Sequence, residues 1–149
     1  MKPTIPKTIQ ECLLYIQSNL TAEKNLYNKF GKYKYRSFEG ILKSLKPLLK
    51  ELGLVLISSD KMICEGDRYY IQAKVTLSNG KDEISSTGYA REPEIQKGMS
   101  ASQVTGTASS YARKYAANGL FAIDDVKDAD HFDNSKEGSK VLDIDLNEL

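Results

Sequence analysis

Basic residues and tyrosines lie side by side in four short stretches of this 149-residue chain: KYKYR at 32–36, RYYIQAK at 68–74, GYAR at 88–91 and YARKY at 111–115. Lysine and arginine give affinity for phosphate groups whatever the base sequence, and the flat face of a tyrosine stacks on any base at about 1 to 3 kcal/mol. Because the bases of an unpaired strand are free to stack, this combination favours a surface that binds single-stranded nucleic acid. The candidates for phosphate contact are Lys32, Lys34, Arg36, Arg68, Lys74, Arg91, Arg113 and Lys114, and those for base stacking are Tyr70 and Tyr89.

The sequence offers little support for an enzyme. The glycines at 98 and 106 are not followed by the Gly-Lys-Ser/Thr of a P-loop, so ATP-driven chemistry is not expected. His131, the single histidine, lies in a polar stretch without a plausible nucleophile partner, which argues against a Ser/His/Asp hydrolase. The acidic run at 124–131 could hold a metal ion for a nuclease, but acidic runs at the end of a domain are usually solvated. We therefore expect a binding protein with no catalytic site, no metal and no cofactor.

Charge is unevenly distributed along the chain. Residues 1–120 hold 18 Lys and Arg against 11 Asp and Glu, a net charge of +7, whereas residues 121–149 hold 3 against 9, a net charge of −6. This asymmetry is typical of a polyanion-binding body whose acidic tail competes for the site or recruits a partner, although a tail that only improves solubility also fits. We predict a core at 1–126 and a polar, flexible tail at 127–149. A signal peptide and a run of about 20 apolar residues are both missing, so we expect a cytoplasmic protein.

Helical spacing of apolar residues predicts three helices, at 7–19, 38–52 and 99–118. The third is made mostly of small residues, which allow a helix to lie close against another surface. We expect Tyr111 and Tyr115 to pack inward from this helix and the cations Arg113 and Lys114 to be exposed.

Residues 54–92 alternate between apolar and polar with a period of two, interrupted at 64–67 and 78–80. This pattern predicts three antiparallel strands. The fold class is therefore α+β, with a three-stranded antiparallel β-meander packed against helices. Such a sheet has one face on the core and one face free for a ligand.

The second hairpin of this meander carries Asn79-Gly80, which favours a two-residue type I′ turn and so fixes the pairing of the strands. That turn puts Tyr70 opposite Tyr89 and Arg68 opposite Arg91 on the free face. Two facing arginines repel unless an anion lies between them, so the pair indicates a ligand. The alternative is an ordinary solvated face on which the arginines splay apart or pair with carboxylates.

Three blocks of the sequence carry a resemblance to a known family: YKYRSFEGILKSLKPLL at 33–49, STGYAREP at 86–93 and SASQVTGTASSYARKYAANGLFAIDD at 100–125. In order and spacing they resemble the ERF (essential recombination function) family of phage single-strand DNA annealing proteins, over about residues 8–126. The resemblance covers these candidate residues: Tyr33, Tyr35, Arg36, Tyr89, Arg91, Tyr111, Arg113, Lys114 and Tyr115. The chain stops soon after the family's core, which implies that any larger C-terminal domain of its relatives is missing or reduced.

The resemblance implies a DNA-binding protein that anneals single strands without nucleotide hydrolysis and assembles into a homo-oligomer, either a ring or a filament. It also implies a β-sheet backed by helices, related to the eukaryotic strand-annealing recombination mediators, and a location in the host cytosol if a phage encodes the chain. Three alternatives stay open. They are a passive single-strand DNA-binding protein, a small metal-dependent nuclease, and an adaptor whose tail peptide VLDIDLNEL docks on a host or phage replication or recombination protein. None of these readings involves a membrane.

Overall fold

A computed structural model describes residues 6–94 and 97–123 of the chain. Three helices are present there, α1 (Ile9–Asn19), α2 (Phe38–Leu52) and α3 (Ala101–Phe121), together with five strands, β1 (Leu26–Asn28), β2 (Tyr33–Tyr35), β3 (Val55–Glu65), β4 (Arg68–Ser78) and β5 (Glu83–Glu92). The predicted α+β class is confirmed. The predicted tail at 127–149 lies outside the described residues.

The strands β3, β4 and β5 form an antiparallel sheet in that order, and the helices cover one face of it. Along β4 the side chains of Ile71, Ala73, Val75 and Leu77 are buried, while the residues between them are half-buried or exposed. The alternation arises because successive side chains of a strand point to opposite faces. Helix α3 lies against β5 and β4, and α1 and α2 complete the core beside it. We call the side of the sheet away from the helices the open face.

Small residues bring α3 unusually close to β5. A Cβ atom placed on Gly88 would lie 2.5 Å from the backbone nitrogen of Ala116 and closer still to the carbonyl oxygen of Ala112. Ala108, Ala112 and Ala116 are all buried in this contact. The helix is therefore rich in small residues because its backbone packs almost directly on the backbone of the strand.

The predicted register of the β4–β5 hairpin is wrong by two residues. The connection is a four-residue loop, 79–82, in which the Asn79 side-chain oxygen accepts hydrogen bonds from the amides of Lys81 (2.9 Å) and Asp82 (2.7 Å). The ladder consequently starts at Ser78 opposite Glu83. The physical reason is that the asparagine side chain satisfies the amides of a longer loop than the two-residue turn expected from Asn79-Gly80.

The new register changes the cross-strand neighbours but not the faces, because a shift of two residues preserves the alternation. Arg91 lies opposite Tyr70, and Tyr89 lies opposite Gln72. Arg68 lies opposite Glu65 in the β3–β4 register. It has no partner on β5, because the β4–β5 ladder ends at Tyr69 opposite Glu92. The predicted facing pair of arginines is therefore wrong, and electrostatic repulsion within such a pair no longer argues for a ligand.

The helix ends follow the sequence signals. Ser37 caps α2 by accepting a hydrogen bond from the amide of Gly40, and Gly53 ends it in the left-handed conformation (φ 67°). Ser100 caps α3 in a capping box with Gln103, and this helix runs three residues beyond the predicted end at 118. Within residues 6–94 and 97–123, none of the helices combines the length and the apolar character needed to cross a membrane.

Candidate nucleic-acid interface

The two tyrosines of α3 lie on the outside of the helix. Tyr111 and Tyr115 are each 45% exposed, so the prediction that they pack inward is wrong. The physical reason is the close approach of α3 to β5, which leaves room only for the side chains of Ala108, Ala112 and Ala116. The larger tyrosine rings are pushed to the flank of the helix, with part of each ring open to solvent.

Lys114 is surrounded by tyrosine rings. Its ammonium nitrogen lies 4.9 Å from the ring centre of Tyr111, 5.6 Å from that of Tyr35 and 5.7 Å from that of Tyr115. Tyr33 joins them through an edge-to-face contact with Tyr35 at 6.2 Å. These distances are within the range of cation–π attraction. We call Tyr33, Tyr35, Tyr111, Lys114 and Tyr115 the tyrosine–lysine cluster.

Burial shifts the titration of this cluster. Burial lowers the pKa of Lys114, because the neighbouring rings exclude part of the water that would solvate the charged ammonium. Burial, followed by the influence of Tyr35 and the other neighbouring tyrosines, raises the pKa of Tyr111. Lys114 is half-buried, so the prediction that it is exposed is wrong. Its charge is nevertheless presented at a surface made of aromatic planes.

An open cleft of about 550 Å³ lies between α3 and the edge strand β5. Its walls carry Tyr89 and Arg91 from β5 and Tyr111 and Tyr115 from α3, and its lining includes Ala90, Pro93, Met99, Val104, Thr107 and Ala108. We call it the edge cleft. Tyr89 is 51% exposed, and its hydroxyl accepts a hydrogen bond of 2.9 Å from the side-chain amide of Gln72, which fixes the ring beside Arg91.

The edge cleft and the tyrosine–lysine cluster share Tyr111 and Tyr115, so they form one continuous surface. This surface contains five tyrosines, one arginine and one lysine drawn from β2, β5 and α3. Flat aromatic faces and cations within a few ångströms of each other are the groups that hold bases and phosphates of an unpaired strand.

Arg113 points to the other side of α3. Its Nε and a terminal nitrogen donate hydrogen bonds of 3.0 and 3.1 Å to the two carboxylate oxygens of Asp60 on β3. The hydroxyl of Ser109 donates to the same carboxylate. Partial burial raises the pKa of Asp60, but the hydrogen bonds and charge of Arg113, with the bond from Ser109, outweigh it and hold that pKa below its ordinary value. Arg113 is half-buried and its charge is paired with that of Asp60, so the prediction of an exposed Arg113 is wrong.

The remaining sequence candidates fall into two groups. Arg68, Tyr70 and Lys74 are on the open face of the sheet, with Arg68 and Lys74 exposed and Tyr70 half-buried. Lys32 and Lys34 are exposed on the β1–β2 hairpin, next to the tyrosine–lysine cluster. Arg36 is half-buried, and its Nε donates to the carbonyl oxygen of Ala22, which ties the end of the hairpin to the segment before it.

Comparison with known proteins adds the evolutionary context. A sequence model described as the ERF superfamily matches residues 9–141. The chain belongs to the ERF superfamily. It is 58% identical over 118 residues to the "Essential recombination function protein" of Salmonella phage P22, an alignment that covers 79% of this chain and 57% of that protein. The chain thus spans little more than half the length of that relative. No solved structure matches it.

In this ERF-superfamily chain, the structure brings together Tyr89, Arg91 and Lys114 of the predicted site residues. It leaves Arg68, Tyr70 and Lys74 on the open face. Tyr89 and Arg91 of the neighbouring strand lie on that face too and also line the edge cleft, so they connect the two surfaces. Sequence reasoning missed Asp60 as the partner of Arg113. The available signal was its position in β3 opposite Ala73, an acidic residue on the face that packs against the helices.

No metal centre is found in the part of the ERF-superfamily fold that the structure describes. Within residues 6–94 and 97–123, no group of three or more His, Cys, Asp or Glu side chains is arranged to hold a metal ion. The acidic run at 124–131, on which the nuclease alternative depends, lies outside those residues.

Proposed function

We propose that this chain binds single-stranded DNA along the edge cleft and the tyrosine–lysine cluster and promotes the pairing of complementary strands in phage recombination, without nucleotide hydrolysis. The observation that carries the proposal is the continuous surface on which half-exposed tyrosine rings stand beside Arg91 and Lys114. The recombination role is supported by membership of the ERF superfamily and by the name of the P22 relative.

The surface suits a single strand better than a duplex. Each exposed tyrosine face can stack on an unpaired base, and the stacking free energy of about 1 to 3 kcal/mol does not depend on which base it is. Arg91 and Lys114 then neutralise phosphates between the stacked bases. In a duplex the base faces are stacked on each other, so a duplex could interact only with the charges of Arg91 and Lys114.

Annealing follows if the bound strand leaves some bases free to test a second strand. The growing duplex supplies the free energy, on average about 1.4 kcal/mol for each base-pair step, so no fuel is needed. Assembly into a homo-oligomer, a ring or a filament, would repeat the +7 body of residues 1–120 along the strand. We expect the acidic tail at 127–149 to recruit a replication or recombination protein.

The test is to mix two labelled complementary oligonucleotides with the protein in the absence of nucleotide and divalent cation. We expect duplex formation to be faster than without protein, and a non-complementary pair to form no duplex. A passive single-strand binding protein would bind both strands but leave the rate of pairing unchanged or lower it. Strand loss after addition of magnesium or manganese would favour the nuclease alternative instead.

A further inference from the structure

The tip of the β1–β2 hairpin presents a phenylalanine to solvent. Phe30 is 98% exposed, more than any other large hydrophobic residue in the described part of the chain. Burying an apolar ring is favourable, so this hairpin holds a large hydrophobic surface that is in contact with water.

The turn that carries Phe30 is held in one shape by hydrogen bonds. The Asn28 side-chain oxygen accepts hydrogen bonds from the amides of Phe30 (2.9 Å) and Gly31 (3.1 Å), and the Asn28 side-chain nitrogen donates to the Tyr33 hydroxyl at 3.2 Å. The Tyr33 ring packs against Gly31, where a Cβ would lie 2.5 Å from the ring Cδ1. The phenylalanine is thus directed outward by a preorganised turn, which reduces the entropy lost when it binds.

The charge around Phe30 indicates the chemistry of its partner. Residues 24–36 hold five Lys and Arg and no Asp or Glu. Lys29 and Lys32, on either side of Phe30, are both exposed. A lone aromatic face between two cations is complementary to a base flanked by two phosphates. The edge cleft of a second copy of the chain is a less suitable partner for Phe30, because that cleft carries the cation Arg91, which would repel Lys29 and Lys32.

The hairpin is also continuous with the proposed DNA-binding surface. Tyr35 of the hairpin contacts Lys114 of α3, and Tyr33 contacts Tyr35 and also accepts the hydrogen bond from Asn28. A strand that leaves the tyrosine–lysine cluster along the hairpin therefore reaches Phe30 past residues 29–35, none of which is Asp or Glu.

We propose that Phe30 is a base-stacking residue, which takes one unpaired base of a bound DNA strand at a subsite outside the edge cleft. This inference rests on the proposed function, since it requires the chain to bind single-stranded DNA. Lys29 and Lys32 contact the phosphates on either side of the stacked base.

The absence of tryptophan from the sequence allows a direct test. In Phe30→Trp the new indole is the only one in the protein, and stacking on a base should quench its fluorescence. We expect quenching when a single-stranded oligonucleotide is added, and much less with an abasic strand of the same length. Leu14→Trp is the matched reporter, because Leu14 is an apolar residue of α1 that is 64% exposed and outside the proposed path. Its emission should not change.

Anisotropy of a labelled strand, measured in the same samples, separates the outcomes. Full binding without quenching of Phe30→Trp, or equal quenching of Leu14→Trp, would overturn the inference and leave the proposed function standing. Failure of the wild-type protein to bind any strand would overturn both. Quenching that depends on protein concentration and needs no DNA would assign Phe30 to a contact between copies, and so would also contradict the inference.

Affinity gives a second measurement. Phe30→Leu keeps an apolar side chain but removes the aromatic face, and the exposed position should leave folding unchanged. We expect single-strand affinity to fall about five-fold or more, the equivalent of about 1 kcal/mol at the low end of base–aromatic stacking. Phe30→Tyr should bind as the wild type does. Wild-type affinity in Phe30→Leu would contradict the proposal.

Discussion

Replacing Gly88 with alanine should destabilise the fold, because α3 leaves no room for a methyl group at this position of β5. The added Cβ would lie 2.5 Å from the Ala116 nitrogen and 3.0 Å from the Tyr115 carbonyl carbon. Ordinary carbon contacts begin near 3.4 Å, so the helix would have to move away by about 1 Å. The obstacles are backbone atoms, which cannot rotate aside as a flexible side chain could.

The size of the effect follows from two opposing contributions. Overpacking a well-filled contact costs about 1 to 3 kcal/mol. Removing a glycine from the interior of a strand returns about 0.5 to 1 kcal/mol of conformational entropy. Because the obstacles are backbone atoms, the overpacking cost falls in the upper half of its range, and after the entropy gain we expect a net loss of about 1 to 2 kcal/mol in the free energy of unfolding. For a domain of this size that is a fall in Tm of roughly 4 to 8 °C.

Urea denaturation followed by circular dichroism measures this change, and Gly106→Ala is the matched control. Gly106 is on the same helix, but its added Cβ would meet no atom within 4 Å. Gly106→Ala should thus stabilise the protein by about 0.5 to 1 kcal/mol, because alanine is the better helix former. The reasoning fails if Gly88→Ala is as stable as the wild type, or if both variants lose stability equally.

Two further predictions concern the ion pair between Asp60 and Arg113 and the charge of Lys114. Asp60→Asn should cost about 1 kcal/mol at neutral pH by removing the ion pair with Arg113. The folded-state pKa of Asp60 is lowered, so this stability is present above the unfolded pKa near 4 and is lost as the pH falls through the folded pKa. Urea titrations of both proteins at pH 7 and pH 3 should show the gap closing, and a gap of constant size would contradict the ion-pair account. Lys114→Met should retain stability, because it removes a charge that is partly desolvated. In the same variant the slope of log affinity for a single strand against log salt concentration should decrease by the amount that one phosphate contact contributes. A large loss of stability or an unchanged salt slope would contradict this role.

The sequence was sufficient to predict which residues of β4 and β5 share a face. The reason is that alternation survives a register error of two. The register itself depended on whether the Asn79 side chain would close a two-residue or a four-residue connection, and both are compatible with Asn-Gly. The predicted Arg68–Arg91 pair failed for this reason.

The candidate site was predicted only in part. Tyr89, Arg91 and Lys114 were identified from their residue types, but their meeting place at the edge of β5 depends on how closely α3 approaches the strand. A helical wheel cannot give that distance, so it placed Tyr111 and Tyr115 inside. The pairing of Arg113 with Asp60 joins residues 53 positions apart, and no local pattern encodes it.

The salt dependence of single-strand DNA affinity in Arg91→Ala tests the central claim most directly. Lys81→Ala is the matched control, because Lys81 is an exposed cation in the loop at the other end of the same hairpin, ten residues or roughly 33 Å of strand away. We expect Arg91→Ala to weaken binding equally for strands of different sequence and to reduce the salt slope by about 0.7 to 1, with Lys81→Ala unchanged. Unchanged affinity and slope in Arg91→Ala, or an equal loss in Lys81→Ala, would contradict the assignment of the edge cleft as the place where the strand binds.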